Sequence, residues 1–239
     1  MDNQAHMNAS ELLSLLLAAW GPQHWWPGET PFEVAVGAVL TQNTAWTNVQ
    51  KAITRLRDAD VMSPAALLAL PTSTLVELIR PAGYSTVKSG YLRTLAGWIQ
   101  EYAGGDLSSL TSRNPAVLRE ELLSLRGIGK ETADSILLYA VGLPVFVIDA
   151  YTLRIASRLG LLPPATRYDD AQRFFQECLP LDVRFYNEAH ALLVCLGKTH
   201  CRTRPLCDGC PLTEHCPSAQ DIRAPLLRRA RSPGARVSS

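Results

Sequence analysis

The sequence is short of several features that would fix its class at once. No stretch of its 239 residues approaches the roughly 18 uninterrupted apolar residues of a membrane span, so no membrane partner is expected. The opening "MDNQAHMNASELL" lacks the basic-then-apolar order of a secretory leader, so a cytoplasmic, reducing compartment is expected. A disulfide framework is disfavoured there, which bears on the six cysteines. Charge of one sign is missing too. Lys and Arg total 23 against 22 Asp and Glu, a net charge of +1, so global electrostatics announce no nucleic-acid partner. No internal repeat or low-complexity stretch precedes the C-terminal tail.

What is present is apolar and helix-forming. Apolar residues make up 47% of the chain, with Ala and Leu dominant, enough for one large or two small helical domains. From Lys198 to the end, eight Lys or Arg face three Asp or Glu, and with "RRARSPGAR" near the terminus a basic, mobile tail is expected over residues 218–239.

Capping signals recur along the chain. "SELLSLLLAAWGP" reads as a first helix with Ser10 as N-cap and Gly21–Pro22 as its stop. "PFEVAVGAVLTQNTAWTNVQKAITRL" puts Pro31 in a first turn, and its polar "TQNT" interrupts the apolar face. "SPAALLAL", "TSTLVELI" and "TVKSGYLRTLAGWIQEYAGG" follow, then "NPAVLREELLSL", capped by Asn114 and Pro115. After "VFVID" come "AYTLRIASRLG", "DDAQRFFQECL" and "YNEAHALLVCLG". "PVFVI" has the composition of a strand but no partner. About ten helices and no strand pair predict an all-α fold.

Four cysteines, Cys201, Cys207, Cys210 and Cys216, fall in "CRTRPLCDGCPLTEHC" with C-x5-C-x2-C-x5-C spacing. Thiolates this close in sequence converge on one centre at little loop-closure cost. Zinc and an iron–sulfur cluster each accept four of them. Zinc ribbons usually pair two C-x2-C knuckles and only one is present, which favours a cubane while leaving zinc open. A redox or metal-sensing centre is a further reading of this loop. Cys178 and Cys195 lie on apolar helical faces and read as buried core.

"LRGIGKETA", Leu125 to Ala133, joins two helices. Glycine there permits positive φ and close backbone approach, and the N–H groups opening the second helix make an anion site suited to a DNA phosphate. A helix C-cap explains Gly127 equally well, but Gly129 less well. Asp149 closes the hydrophobic "VFVI" and precedes "AYTLRIASRL", the position of an N-cap.

Together, "LRGIGKETADSILLYAVGLPVFVIDAYTLR", the cysteine loop and "VLTQNTAWTNV" resemble the endonuclease III superfamily of DNA glycosylases over roughly residues 31–216. The resemblance implies a two-lobed helix-hairpin-helix fold. One lobe would span 31–135 and hold the hairpin. The other would join 1–30 to 136–217, with the substrate cleft at their junction. It implies a monomer working on double-stranded DNA with a damaged base, located with the DNA (the nucleoid, if bacterial). A [4Fe-4S] cluster would be held by Cys201, Cys207, Cys210 and Cys216. Leu125, Gly127, Gly129 and Lys130 would grip backbone phosphate. Asp149 would be the catalytic carboxylate, Gln42 would fill the gap left by the extruded base, and Tyr84 would be the opposing wedge.

The sequence departs from the family where bifunctional members carry a Schiff-base lysine: Glu131 stands there. Lys130 is no direct substitute, because one residue along a helix turns the side chain by about 100°. Glu131 is either a first-turn acid favoured by the helix dipole or a pocket carboxylate that binds a cationic lesion or assists water. Tyr151 replaces the family's histidine and reads either as a ring stacking on a cationic base or as packing. These features resemble the branch that removes alkylated purines such as 3-methyladenine, and they imply a monofunctional hydrolase. Oxidised pyrimidines and mismatched bases rank behind as substrates. The alternatives are strand cleavage by another amine, Lys130 or Lys198, and a non-catalytic module that binds damaged DNA.

Overall fold

The computed structural model describes residues 7–25 and 28–220. Most of the expected basic tail, from residue 221 onward, lies outside the described residues. Within them the structure is helical, with eleven α-helices and no strand. "PVFVI" runs extended without forming a ladder. No described helix is long and apolar enough to cross a membrane.

The chain divides into two compact units. One takes His24–Val147 and Leu181–Asn187; the other takes the described parts of Met1–Gln23, Ile148–Pro180 and Glu188–Ser239. The expected boundary at 135/136 therefore sits at 147/148. The reason is packing: Ile136–Val141 is buried throughout and packs on the second helix, while Phe146 meets Tyr186 edge to face at 5.2 Å.

The first unit holds α2 (Pro31–Leu40), α3 (Trp46–Asp58), α4 (Pro64–Ala69), α5 (Thr72–Leu78), α6 (Ser85–Ala103), α7 (Pro115–Ser124) and α8 (Lys130–Ser135). Pro31 takes the first position of α2 and Asn114 caps α7 ahead of Pro115, as the sequence predicts, and Thr30 caps α2. Val36, Leu40, Leu95, Ile99, Leu122 and Ile136 are fully buried. Arg119 of α7 grips the buried Asp134 of α8 with two hydrogen bonds, 2.6 and 3.1 Å, and locks the two hairpin helices together. Beyond Ser135 the helix widens into a π turn, Ile136–Val141, ended by Gly142 at φ +81°. Such turns concentrate at functional sites.

The second unit holds α1 (Ala9–Trp20), α9 (Ala150–Arg158), α10 (Tyr168–Cys178), the larger part of α11 (Val183–Thr199) and the cysteine loop. The cap of α1 is Asn8 rather than Ser10. Asn8 and Glu11 exchange side-chain-to-backbone bonds of 2.9 Å in both directions. Ser10 has Leu13 three residues on, so it cannot close such a box. Leu12, Leu16, Phe175 and Leu193 form the core, with α1 packed on α10. Cys178 is exposed at the end of α10 and Cys195 is half-buried, so neither is the core residue that its helical face suggests.

Candidate active site

In the first unit the glycine turn is built for two different reasons. Gly127 has φ +88°, and a Cβ there would lie 2.2 Å from the Tyr91 ring, so both backbone and packing demand glycine. Gly129 has an ordinary extended backbone, φ −92°, and nothing within 4 Å of where its Cβ would be. Fold alone does not require glycine at 129; open space over the start of α8 remains. Leu125 is the half-buried C-cap of α7, and its carbonyl accepts from Ile128 N–H at 3.1 Å. Lys130 is half-buried and Glu131 exposed in the first turn of α8.

Gln42 is held against this turn. Its carboxamide nitrogen donates to Gly127 O at 2.9 Å and to Thr132 Oγ1 at 3.1 Å, so the "TQNT" turn and the hairpin form one assembly. Tyr84, by contrast, is 71% exposed. It caps α6 with left-handed backbone, φ 47° and ψ 33°, a strained state for an aromatic residue.

In the second unit Asp149 is the N-cap of α9. Its Oδ1 accepts from Thr152 N–H at 2.7 Å and from the Thr152 hydroxyl at 2.8 Å. Its Oδ2 lies 3.6 Å from His190 Nε2, an ion pair when the imidazole is protonated. The Asp149 side chain is 10% exposed and that of His190 is 7% exposed. Burial pushes the Asp149 carboxyl up. The bond and charge of His190, with the two Thr152 donors, outweigh it and hold the group below the usual carboxylate range. Asp149 is therefore a buried carboxylate that stays ionised at neutral pH.

His190 is a residue that sequence reasoning missed. Its signal was faint: the one basic residue in the apolar "AHALLVCLG". The middle of α11 supplies His190, and Gly197 two turns later receives the Tyr151 ring, where a Cβ would stand 2.3 Å from it. The Arg154 guanidinium sits 5.2 Å from the centroid of the same ring. The half-buried Tyr151 thus packs α9 against α11.

The four cysteines line one cavity of about 40 Å³ and form no disulfide. Arg158 donates to Cys201 Sγ at 3.3 Å and to the Arg202 carbonyl at 2.6 Å, and Arg154 donates to the Cys201 carbonyl at 2.7 Å. Burial pushes the Cys210 and Cys216 thiols up, and backbone N–H groups of Leu212, Ser218 and Ala219 oppose that shift. Amide donors and a guanidinium around sulfurs that share one cavity suit a centre that binds them as thiolates. No three of the described His, Cys, Asp or Glu residues converge closely enough for a single metal ion.

Comparisons with known proteins agree with this arrangement. Residues 36–181 match the HhH-GPD superfamily of base excision DNA repair proteins. A Methanocaldococcus jannaschii protein named as a DNA repair glycosylase is 45% identical over 207 residues, covering 86% of this chain and 94% of its own. Endonuclease III of Sulfolobus acidocaldarius is 29% identical over 191 residues, covering 77% and 81%. Among solved structures, the H. pylori 3-methyladenine DNA glycosylase, bound to 1,N6-ethenoadenine, matches with a TM-score of 0.69 and 30% identity over 80% of this chain and 98% of that one. A non-covalent endonuclease III–DNA complex gives a TM-score of 0.78 at 22% identity over 91% and 99%, a likeness of fold.

The chain belongs to the HhH-GPD superfamily. It is a DNA glycosylase of base excision repair, and its partner is DNA.

Proposed function

We propose that the protein is a monofunctional glycosylase that hydrolyses the N-glycosidic bond of an extruded damaged base, with alkylated purines as its first substrates. The observation that carries this is the Asp149 carboxylate, buried yet kept ionised by Thr152 and His190. Breaking the base–sugar bond builds positive charge on the deoxyribose, and a fixed carboxylate beside it stabilises that charge and orients the attacking water. The N–H groups from Gly127 to Lys130 take the phosphate of the attacked strand without reading sequence, and the open space over Gly129 supports that role. Gln42 enters the vacated stack and Tyr84 opposes it. Glu131, in the lysine's place, offers no amine for a Schiff base. The alkylpurine assignment draws on the likeness to the H. pylori enzyme.

Cys201, Cys207, Cys210 and Cys216 would hold a [4Fe-4S] cluster, in which each thiolate takes its own iron. The four cysteines lining one cavity support this reading. The loop these cysteines would anchor carries the exposed Arg202 and Arg204.

The test is a panel of duplexes, each with one lesion, scored for base release before and after alkali and in the presence of borohydride. Release that leaves a strand cut only by alkali is expected. A strong borohydride-trapped adduct, directed by Lys130 or Lys198, contradicts the hydrolytic reading.

A further inference from the structure

Lys88 is a buried cation with no carboxylate beside it among the described residues. The residue is 2% exposed, one turn into α6 from Tyr84, whose carbonyl accepts its N–H at 2.9 Å. The ammonium donates to Leu40 O at 2.8 Å, Thr44 Oγ1 at 2.7 Å and Ala82 O at 2.9 Å. Three donors meet three oxygens, which fills the group's hydrogen-bonding capacity. Leu40 O is the last carbonyl of α2, where the helix dipole favours a cation. Burial alone moves the Lys88 pKa, and it moves it down; no acidic neighbour offsets it.

An apolar side chain would fill this site at less desolvation cost. What it could not supply is one atom tying two chain segments some forty residues apart in sequence. The oxygens belong to the base of the 41–44 turn and to the residue before Gly83–Tyr84. Thr44 Oγ1 adds a direct bond to Ala82 O at 2.6 Å. Both segments then carry left-handed, non-glycine backbone, Asn43 at φ 51° and Tyr84 at φ 47°. Strain of this kind persists only when surrounding contacts over-determine it.

We infer that Lys88 is a positioning residue for base extrusion, holding the Gln42 turn and the Tyr84 turn in the fixed register with which they enter the DNA stack. It touches no substrate. The inference rests on the proposed roles of Gln42 and Tyr84.

The experiment uses a duplex with a tetrahydrofuran abasic analogue facing 2-aminopurine, so no lesion need be identified. Fluorescence anisotropy reads binding and 2-aminopurine emission reads invasion of the stack. The wild-type protein binds and raises emission. Lys88→Met keeps the apolar stem. It binds within about threefold of wild type yet shows a roughly tenfold smaller invaded population. Thr44→Val, which leaves Lys88 in place, shows a partial version of the same split. If Gln42→Ala and Tyr84→Ala leave emission unchanged, the reading underneath is wrong. If those two lower emission and Lys88→Met does not, the inference about Lys88 alone is overturned. Parallel loss of binding and emission in both Lys88→Met and Thr44→Val makes Lys88 structural only and overturns it as well.

Discussion

Asp149 and Lys88 are both buried charges, and the two units of the chain treat them in opposite ways. Around Asp149 every named neighbour favours the charged form: an N-cap amide, a hydroxyl and an imidazole. Around Lys88 burial pushes toward the neutral form, and its partners are uncharged oxygens. The difference is that one environment preserves a charge, while the other uses an ammonium for the directions of its three bonds.

Removing each charge in turn sharpens that contrast. Asp149→Asn keeps shape and N-cap capacity. It is expected to lower single-turnover base release by about 10²–10⁴-fold, the span of general acid–base contributions, with DNA affinity within a few-fold. Lys88→Met is expected to do the reverse to stability. It takes the ammonium donor from three oxygens, of which Ala82 O keeps the Thr44 hydroxyl, and costs about 1–3 kcal/mol in denaturant unfolding, whereas Asp149→Asn stays within about 1 kcal/mol. Comparable stability losses for the two would break the comparison.

The glycine turn makes a second pair. Gly127→Ala drives a Cβ into Tyr91 at positive φ, with an expected cost of about 2–4 kcal/mol. Gly129→Ala meets open space and ordinary backbone; its stability should change by less than about 0.5 kcal/mol while DNA binding weakens. Melting curves and binding isotherms of the two variants check this directly.

Smaller effects follow at His190. His190→Ala should slow base release about tenfold by freeing one carboxylate oxygen, and His190→Gln, which keeps a donor, should recover part of it. Equal rates in all three proteins would leave Asp149 held by Thr152 alone.

The smallest effect is in pH. The Asp149 carboxyl is lowered, so its stability contribution is complete above the unfolded value of about 3.9 and lost as pH falls through the folded value. Asp149 should therefore impose no step on base release between about pH 5 and pH 8. The Lys88 pKa is lowered as well, so wild type should gain on Lys88→Met as pH rises toward the unfolded value of about 10.4. Unfolding measured across both windows separates the two.

What the sequence made legible was local. Asn114–Pro115, Thr30–Pro31 and the Asp149 cap are each specified within four residues, so helix starts could be read directly. The cysteine spacing likewise pointed to four sulfurs close together, and they line one cavity. Lys88 and His190 escaped because Leu40 and Thr44, which bind the first, and Asp149, which faces the second, lie more than forty residues away, and no local pattern reports such pairs. Ser10 misled because a hydroxyl near a helix start resembles a cap; Glu11, three residues after Asn8, was the decisive signal. Cys178 misled because its helix ends there, leaving its apolar face uncovered. The domain boundary shifted because the buried π turn carries the chain onward against α2 before it leaves the unit.

The most direct measurement compares affinities for two duplexes, one with a positively charged pyrrolidine in place of the damaged nucleotide, the other with neutral tetrahydrofuran. A carboxylate poised at the sugar predicts that the wild-type protein prefers the cationic analogue by about tenfold or more and that Asp149→Asn erases the preference. Equal affinity for the two analogues in the wild-type protein, or a preference that survives Asp149→Asn, would contradict the account.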